Sequence, residues 1–318
     1  MEAVPVRENP RVSVVIPSYN TAGLIAGCLD SVFAQTYTDF EIIVVNDGSP
    51  DTLELERVLE PYLSRIVYIK QTNKRAAGAR NTAIQRARGE FLAFLDSDDS
   101  WYPEHLAHQM RRFDDDPALD LVYANCVIVA QNLEWVLMDG CPSQGTADFE
   151  ALVVERCQIP VSTVVARKRA IVGAGLFDEG LERCDDYDMW LRTAFHRGKI
   201  AYSRRVQARL AGGRPDSLGL SNMKMIEAYL TILEKMLRSL ALTPSQTSLV
   251  CNRAAEMKAL HRLEEGKRQL RRGHFEQARD YLSEANRYLR RPKLRLVLLG
   301  LKVAPKTTSR FAVYWARR

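Results

Sequence analysis

The chain has 318 residues, 46% of them apolar, which allows one large or two ordinary domains with a proper core. Its net charge of +6 sits at one end: ten basic residues and no acid follow Glu284, which leaves the preceding chain at −4. That distribution excludes a broadly basic, nucleic-acid-binding surface over the main body, and residues 1–11, polar with two prolines, do not read as a signal peptide.

In chain order, residues 12–16, 41–45, 66–69 and 91–95 are short continuous apolar runs, the mark of buried parallel strands. Helical patterns separate them at 22–34, with Leu24, Leu29, Val32 and Phe33 inward, at 51–63 and at 76–88. Alternating strand and helix predicts a Rossmann-like, mostly parallel sheet flanked by helices, an α/β fold. Ligands of such sheets bind beyond the carboxyl ends of the strands. Ser18-Tyr19-Asn20, Asp47 and the run Asp96-Ser97-Asp98-Asp99 all fall at that edge.

Three carboxylates within four residues repel one another unless something positive joins them. A hard divalent cation carrying phosphates, Mg²⁺ or Mn²⁺, suits carboxylate oxygen. Taken alone, the run equally fits a solvated turn capping the helix that starts near Pro103. Residues 17–22 hold no Gly-x-Gly-x-x-Gly, and no Gly-Lys-Ser/Thr phosphate loop occurs, which argues against a dehydrogenase and a P-loop enzyme.

Further along, Leu119–Ala130 and Val161–Ala166 read as strands. Trp135, Phe149, Phe177 and Trp190 offer ring faces that stack on a ligand or fill a core; core is the reading for Phe149 and Phe177, a loop for Trp135. Asp185 and Asp186 open an amphipathic helix with Tyr187, Trp190, Leu191 and Ala194 on one face; an acid there serves as a cap or as a catalytic base. A helix N-terminus should keep Asp186 ionised at neutral pH. His105 and His108 share a helix face, read as solvated rather than as a zinc site. The six cysteines show no paired spacing and read as free, buried thiols of a reducing compartment.

After about residue 218 the pattern is helical. Met225, Tyr229, Ile232, Met236 and Leu240 recur at core spacing. Thr243-Pro244-Ser245-Gln246 is a capping box that starts a new helix, and 263–289 resembles one tetratricopeptide-like helix pair. The basic tail, about 290–318, carries the stripe Leu294, Val297, Leu298 and Leu301, then Phe311, Tyr314 and Trp315. It reads either as an anchor on an anionic membrane surface or as a helix packed on the core. It is too short and too charged to span a bilayer.

Ser13–Asn20 (Ser-Val-Val-Ile-Pro-Ser-Tyr-Asn), Ile43–Ser49 (Ile-Val-Val-Asn-Asp-Gly-Ser), Ala79-Arg80-Asn81, Gly89–Asp99 and Asp185–Arg192 resemble, in order and spacing, the blocks of family-2 glycosyltransferases with a GT-A fold. The resemblance covers about residues 10–215. It implies a nucleotide-diphospho-sugar transferase domain over 1–217 that inverts configuration, followed by a helical region over 218–318 with room for oligomer contacts. By resemblance, Pro17, Tyr19 and Asp47 would line base and ribose, and Arg80 would approach the donor phosphates. Asp96 and Asp98 would form the Asp-x-Asp motif, with Asp98 the direct metal ligand and Asp99 orienting them. Asp186 would be the general base. The acceptor would be a glycan or lipid-linked hydroxyl, in bacterial envelope polysaccharide assembly on the cytoplasmic membrane's inner face. The chain lacks the Gln-x-x-Arg-Trp signature of processive synthases, so one or few sugars per encounter are expected.

Two departures stand out. Asp185 occupies a place where the family usually has Glu. The family's closing Arg-x-His is Arg209-Leu210-Ala211, and no His lies between His196 and His261. The third protein ligand is then absent, or water or the segment Gly212–Ser217 replaces it. A non-catalytic nucleotide-sugar-binding homologue is the rival reading. A nucleotidyltransferase is disfavoured, because no Gly-rich basic loop follows the first strand.

Overall fold

The computed structural model describes residues 9–130, 133–138, 146–155, 157–212 and 222–308. The chain divides into two compact units, Met1–Ser217 and Leu218–Arg318.

In the first unit the four apolar runs become parallel neighbours: β1 (Val12–Ser18), β2 (Phe40–Asp47), β3 (Val67–Gln71) and β4 (Phe91–Phe94), in the order β3-β2-β1-β4. Val14, Val15 and Ile16 are all fully buried, because both sheet faces are covered. The crossovers are α1 (Ile25–Phe33), α2 (Thr52–Leu59) and α3 (Arg75–Arg86). The helix expected to reach residue 63 turns 3-10 at Glu60–Arg65, where Pro61 lacks the N–H that an α-helical turn would use.

Past β4 the sheet is mixed. β9 (Val165–Arg167) runs antiparallel between β4 and β6 (Leu121–Ala130), and β10 (Ile200–Ala211) lies parallel to β6. β5 (Ser100–Trp101) pairs with β10 next to the acidic run. Packed around this half are α4 (His105–Asp115), α5 (Phe149–Val153), α6 (Lys168–Gly173) and α7 (Asp185–Phe195).

Several expectations change here. Val161–Thr163 is a 3-10 turn, not strand; Pro160 precedes it, and only Val165 onward joins the sheet. Trp135 lies on a strand, β7 (Leu133–Val136), paired with β6 and half-exposed. His105 is not solvated. The inward face of α4 carries it with Leu106, Gln109, Met110 and Phe113; it stacks on Trp101 at 4.4 Å, and burial pushes its pKa down to about 3. The described cysteines are free thiols, but only Cys28, Cys126 and Cys157 are buried; Cys184 is half-buried and Cys251 exposed, and Cys141 lies outside the described residues.

Among its described residues the second unit is helical: α8 (Asn222–Ser239), α9 (Pro244–Arg272), α10 (Phe275–Leu289) and α11 (Pro292–Val303). The capping box forms: Thr243 Oγ1 accepts from Gln246 N, and the Gln246 side chain accepts from Thr243 N. α9 and α10 pack tightly, because a Cβ on Gly266 would meet Leu282 Cδ2 at 2.6 Å. The inner face of α11 adds Leu294 and Leu301 to the core of Leu263, Leu270, Ala278, Leu282 and Ala285, with Val297 and Leu298 against it. The stripe expected to face a membrane is thus the helix's packed side. Phe311, Tyr314 and Trp315 lie outside the described residues. Among the described residues no helix is long and apolar enough to cross a membrane.

Candidate active site

The acidic run leaves β4 after the buried Leu95 and is held from three directions. Asp96 N donates to Ser162 Oγ at 3.0 Å. Ser97 Oγ lies 2.9 Å from Thr21 Oγ1, itself 2.9 Å from Ser18 Oγ, which links the loop to the tip of β1. Asp99 N closes the turn on Asp96 O at 3.0 Å. The Asp99 carboxylate is buried; it accepts from Ser162 Oγ at 2.5 Å and from Ala211 N at 2.8 Å. Burial, then the charges of Asp96 and Asp98, raise its pKa well above the usual carboxylate range. Asp99 therefore ties the loop to the 3-10 turn and to β10, while Asp96 and Asp98 remain half-buried.

Ser162 was invisible as a functional residue from sequence, because 161–166 read as one strand. The signal available was Pro160 followed by Ser162 and Thr163, a turn-forming set.

Arg80, on α3, joins the acidic loop to α7. Its Nη2 donates to Asp96 Oδ1 at 2.7 Å and its Nη1 to Asp185 Oδ2 at 2.6 Å, over the Phe177 ring. The guanidinium is almost wholly buried. Burial opposes its charge, but Asp96, Asp185 and Asp186 outweigh that and raise its pKa. Both terminal nitrogens thus bond to protein carboxylates. The next residue, Asn81, clamps the turn before α7: its amide donates to Phe177 O at 2.8 Å and its Oδ1 accepts from Phe177 N at 2.9 Å.

α7 begins after Cys184, which is left-handed at φ 58. Its buried Asp188 pairs with Arg192, whose Nη2 caps Leu176 O at 2.7 Å. This anchoring fixes the helix start and hence Asp186. Removal from water, then the neighbouring Asp185 charge, push the Asp186 carboxyl up to about 7, although Arg80 and the Tyr187 N–H pull the other way. Desolvation beside a second acid thus opposes the helix terminus, which was expected to keep this carboxyl ionised at neutral pH.

At the far end of the strand edge, Tyr19 is half-exposed and Pro17 half-buried. Asp47 is buried, its Oδ1 accepting from Gln71 Nε2 at 2.7 Å and Lys74 N at 2.8 Å. Gly48, at φ 65, lets the β2 tip approach Asn73: a Cβ there would meet Asn73 N at 2.7 Å. Asn46, near the end of β2, donates its amide to Thr52 Oγ1 and Tyr68 OH.

A parallel sheet ending in this acidic loop, facing an acid-headed helix, matches known proteins. The family model for glycosyl transferase family 2 matches residues 13–156. An uncharacterized glycosyltransferase of Rickettsia prowazekii is 30% identical over 230 residues, 69% of this chain and 70% of that protein. This chain belongs to glycosyltransferase family 2. Among solved structures, Staphylococcus aureus TarS 1–349 in complex with UDP-GlcNAc superposes with a TM-score of 0.63 at 19% identity, covering 96% of this chain and 91% of that one. The mannosyltransferase PcManGT of Pyrobaculum calidifontis, in complex with GDP-Man and Mn²⁺, gives 0.59 at 19% identity, covering 100% and 91%. The GT-A-like fold and the transferase class follow.

In this glycosyltransferase the loop's half-buried carboxylates are Asp96 and Asp98, while Asp99 is bonded to Ser162 and Ala211. Among the described residues no three His, Cys, Asp or Glu side chains converge as a complete metal site. Two carboxylates still fit Mg²⁺ or Mn²⁺, which typically take one or two protein oxygens and fill the remainder with substrate phosphates and water. Ala211, in the place of the family's His, gives only its backbone N–H, to Asp99. Of Gly212–Ser217, all but Gly212 lie outside the described residues. Phe149, Phe177 and Trp190 are core: Phe94, Phe177 and Trp190 form one edge-to-face cluster, and Trp190 Nε1 donates to Ile159 O at 3.1 Å.

Proposed function

We propose that the chain transfers a sugar from a nucleotide-diphospho-sugar to a hydroxyl of a glycan or lipid-linked acceptor, with inversion at the sugar carbon. The observation that carries this reading is Arg80, which draws Asp96 of the acidic loop and Asp185 beside Asp186 to one guanidinium. Loop and base then belong to one electrostatic unit.

Asp98 and Asp96 would hold Mn²⁺ or Mg²⁺, which supplies charge neutralisation to the departing nucleoside diphosphate. Pro17, Tyr19 and Asp47 line the base and ribose end; Asp47, held by Gln71 and Lys74, presents a fixed acceptor. Arg80 acts behind the loop rather than on phosphate: it offsets the acidic charge and fixes the two acids' orientation. Asp186 accepts the acceptor's proton as the new C–O bond forms opposite the breaking bond to phosphate. A pKa of about 7 matches that task near neutral pH. On this reading the enzyme works in the cytoplasm, peripheral at the membrane's inner face, in envelope polysaccharide assembly.

The test is nucleoside diphosphate release with Mn²⁺ and a panel of nucleotide-sugars, on the parent and on Asp98→Asn. Donor-dependent release that needs metal and collapses in Asp98→Asn is expected. Ala211 favours a second reading, a nucleotide-sugar binder without turnover; tight, metal-independent donor binding with no release would establish it instead.

A further inference from the structure

α11 is apolar on two sides. Leu294 and Leu301 face inward, and at 3.6 residues per turn Leu296, Leu299 and Val303 fall about opposite them. These three are 67%, 61% and 80% exposed. A helix that is hydrophobic all round ordinarily has both sides covered. Beside the outer stripe stand the exposed Lys293, Arg295 and Lys302, followed by exposed Lys306.

We propose that this outer face of α11 docks on an anionic lipid bilayer, lying in the headgroup plane with Leu296, Leu299 and Val303 inserted. Charge selects the occupant. No acid follows Glu284 in the sequence. A second copy meeting the same face across a twofold axis would set cation against cation. Residues 309–318 would bring Arg310, Arg317 and Arg318 onto the same cations. Lipid phosphates supply the opposite charge along the flanks, and the acyl boundary takes the leucines. Twelve residues cannot cross the hydrocarbon layer, so the helix lies on the surface. This surface does not depend on the chemistry at the acidic loop, so failure of lipid binding leaves the transferase reading intact.

Sedimentation of the full chain with vesicles tests it. Vesicles of phosphatidylglycerol mixed with phosphatidylcholine should carry the protein down, phosphatidylcholine alone should not, and added salt should release it. Leu296→Asp with Leu299→Asp should cut partitioning by at least about tenfold without lowering the thermal midpoint, since neither side chain joins the core. Lys302→Glu should cut it by about fivefold or more. The proposal fails if the parent stays in solution beside anionic vesicles at low salt, or if the double variant binds as well as the parent. It also fails if the chain self-associates through a contact that Leu299→Asp abolishes.

Discussion

The sheet unit buries more of its charge than the helical unit does. In the sheet unit Arg80 is buried between Asp96 and Asp185, Arg192 against Asp188, and Asp99 beneath Ser162. In the helical unit the α9–α10 seam is Leu, Ala and Gly, and ion pairs such as Arg262–Glu284, at 3.1 Å, stay about half-exposed. Taking ions out of water costs several kcal/mol each, which pairing only partly offsets. Among the described residues the helical unit meets that cost at Glu265, buried and paired with Arg268 at 2.8 Å. The sheet unit meets it more often, at Glu41 with Arg88 and at Arg167 with Glu90 as well as where Arg80 joins the acidic loop to α7.

That contrast sets the order of expected effects. Asp186→Asn should lower turnover by about 10²–10⁴-fold, the usual contribution of a general base. Its folding should not weaken, because the neutral amide relieves repulsion with Asp185. Parent turnover should rise with pH through about 7, since only the ionised carboxylate accepts a proton. A profile flat across that region would detach Asp186 from the chemistry.

Arg80→Ala strands two acids and should destabilise the sheet unit by about 3–5 kcal/mol in denaturant titration. A loss below about 1 kcal/mol would erase the distinction between the units. Ser162→Ala removes one hydroxyl that serves both Asp99 and the Asp96 N–H. It should cost about 1–3 kcal/mol and raise the Mn²⁺ concentration needed for half-maximal rate. At the small end, Arg262→Ala should change stability by no more than about 1 kcal/mol. A larger loss would mean that the helical unit also relies on charge.

Much of the sheet unit was legible in sequence. β1 to β4 announced themselves because strands buried on both faces must be apolar at every position, and the acidic run stood out because three carboxylates need a reason to be adjacent. The place of Asp186 at a helix start was legible in its acidic, N-terminal block. Ser162 was not, because its neighbours Val161, Val164 and Val165 are as apolar as strand residues. His105 was not, because a histidine three residues from another looks the same whether the face they share is wet or buried. In α11 the two apolar stripes have similar composition, and only packing against α10 told the inner one from the outer.

What the chain settled alone is local. Continuous apolar runs make buried strands, Thr243 and Gln246 begin a helix, and the acids of 96–99 share a turn. Only tertiary structure decided what each acid does. Asp99 meets Ser162 across 63 residues and Ala211 across 112, and Arg80 meets Asp185 across 105. A carboxyl's charge state and role follow from the water it loses and the charges it faces. Both come from folding together segments that are far apart along the chain.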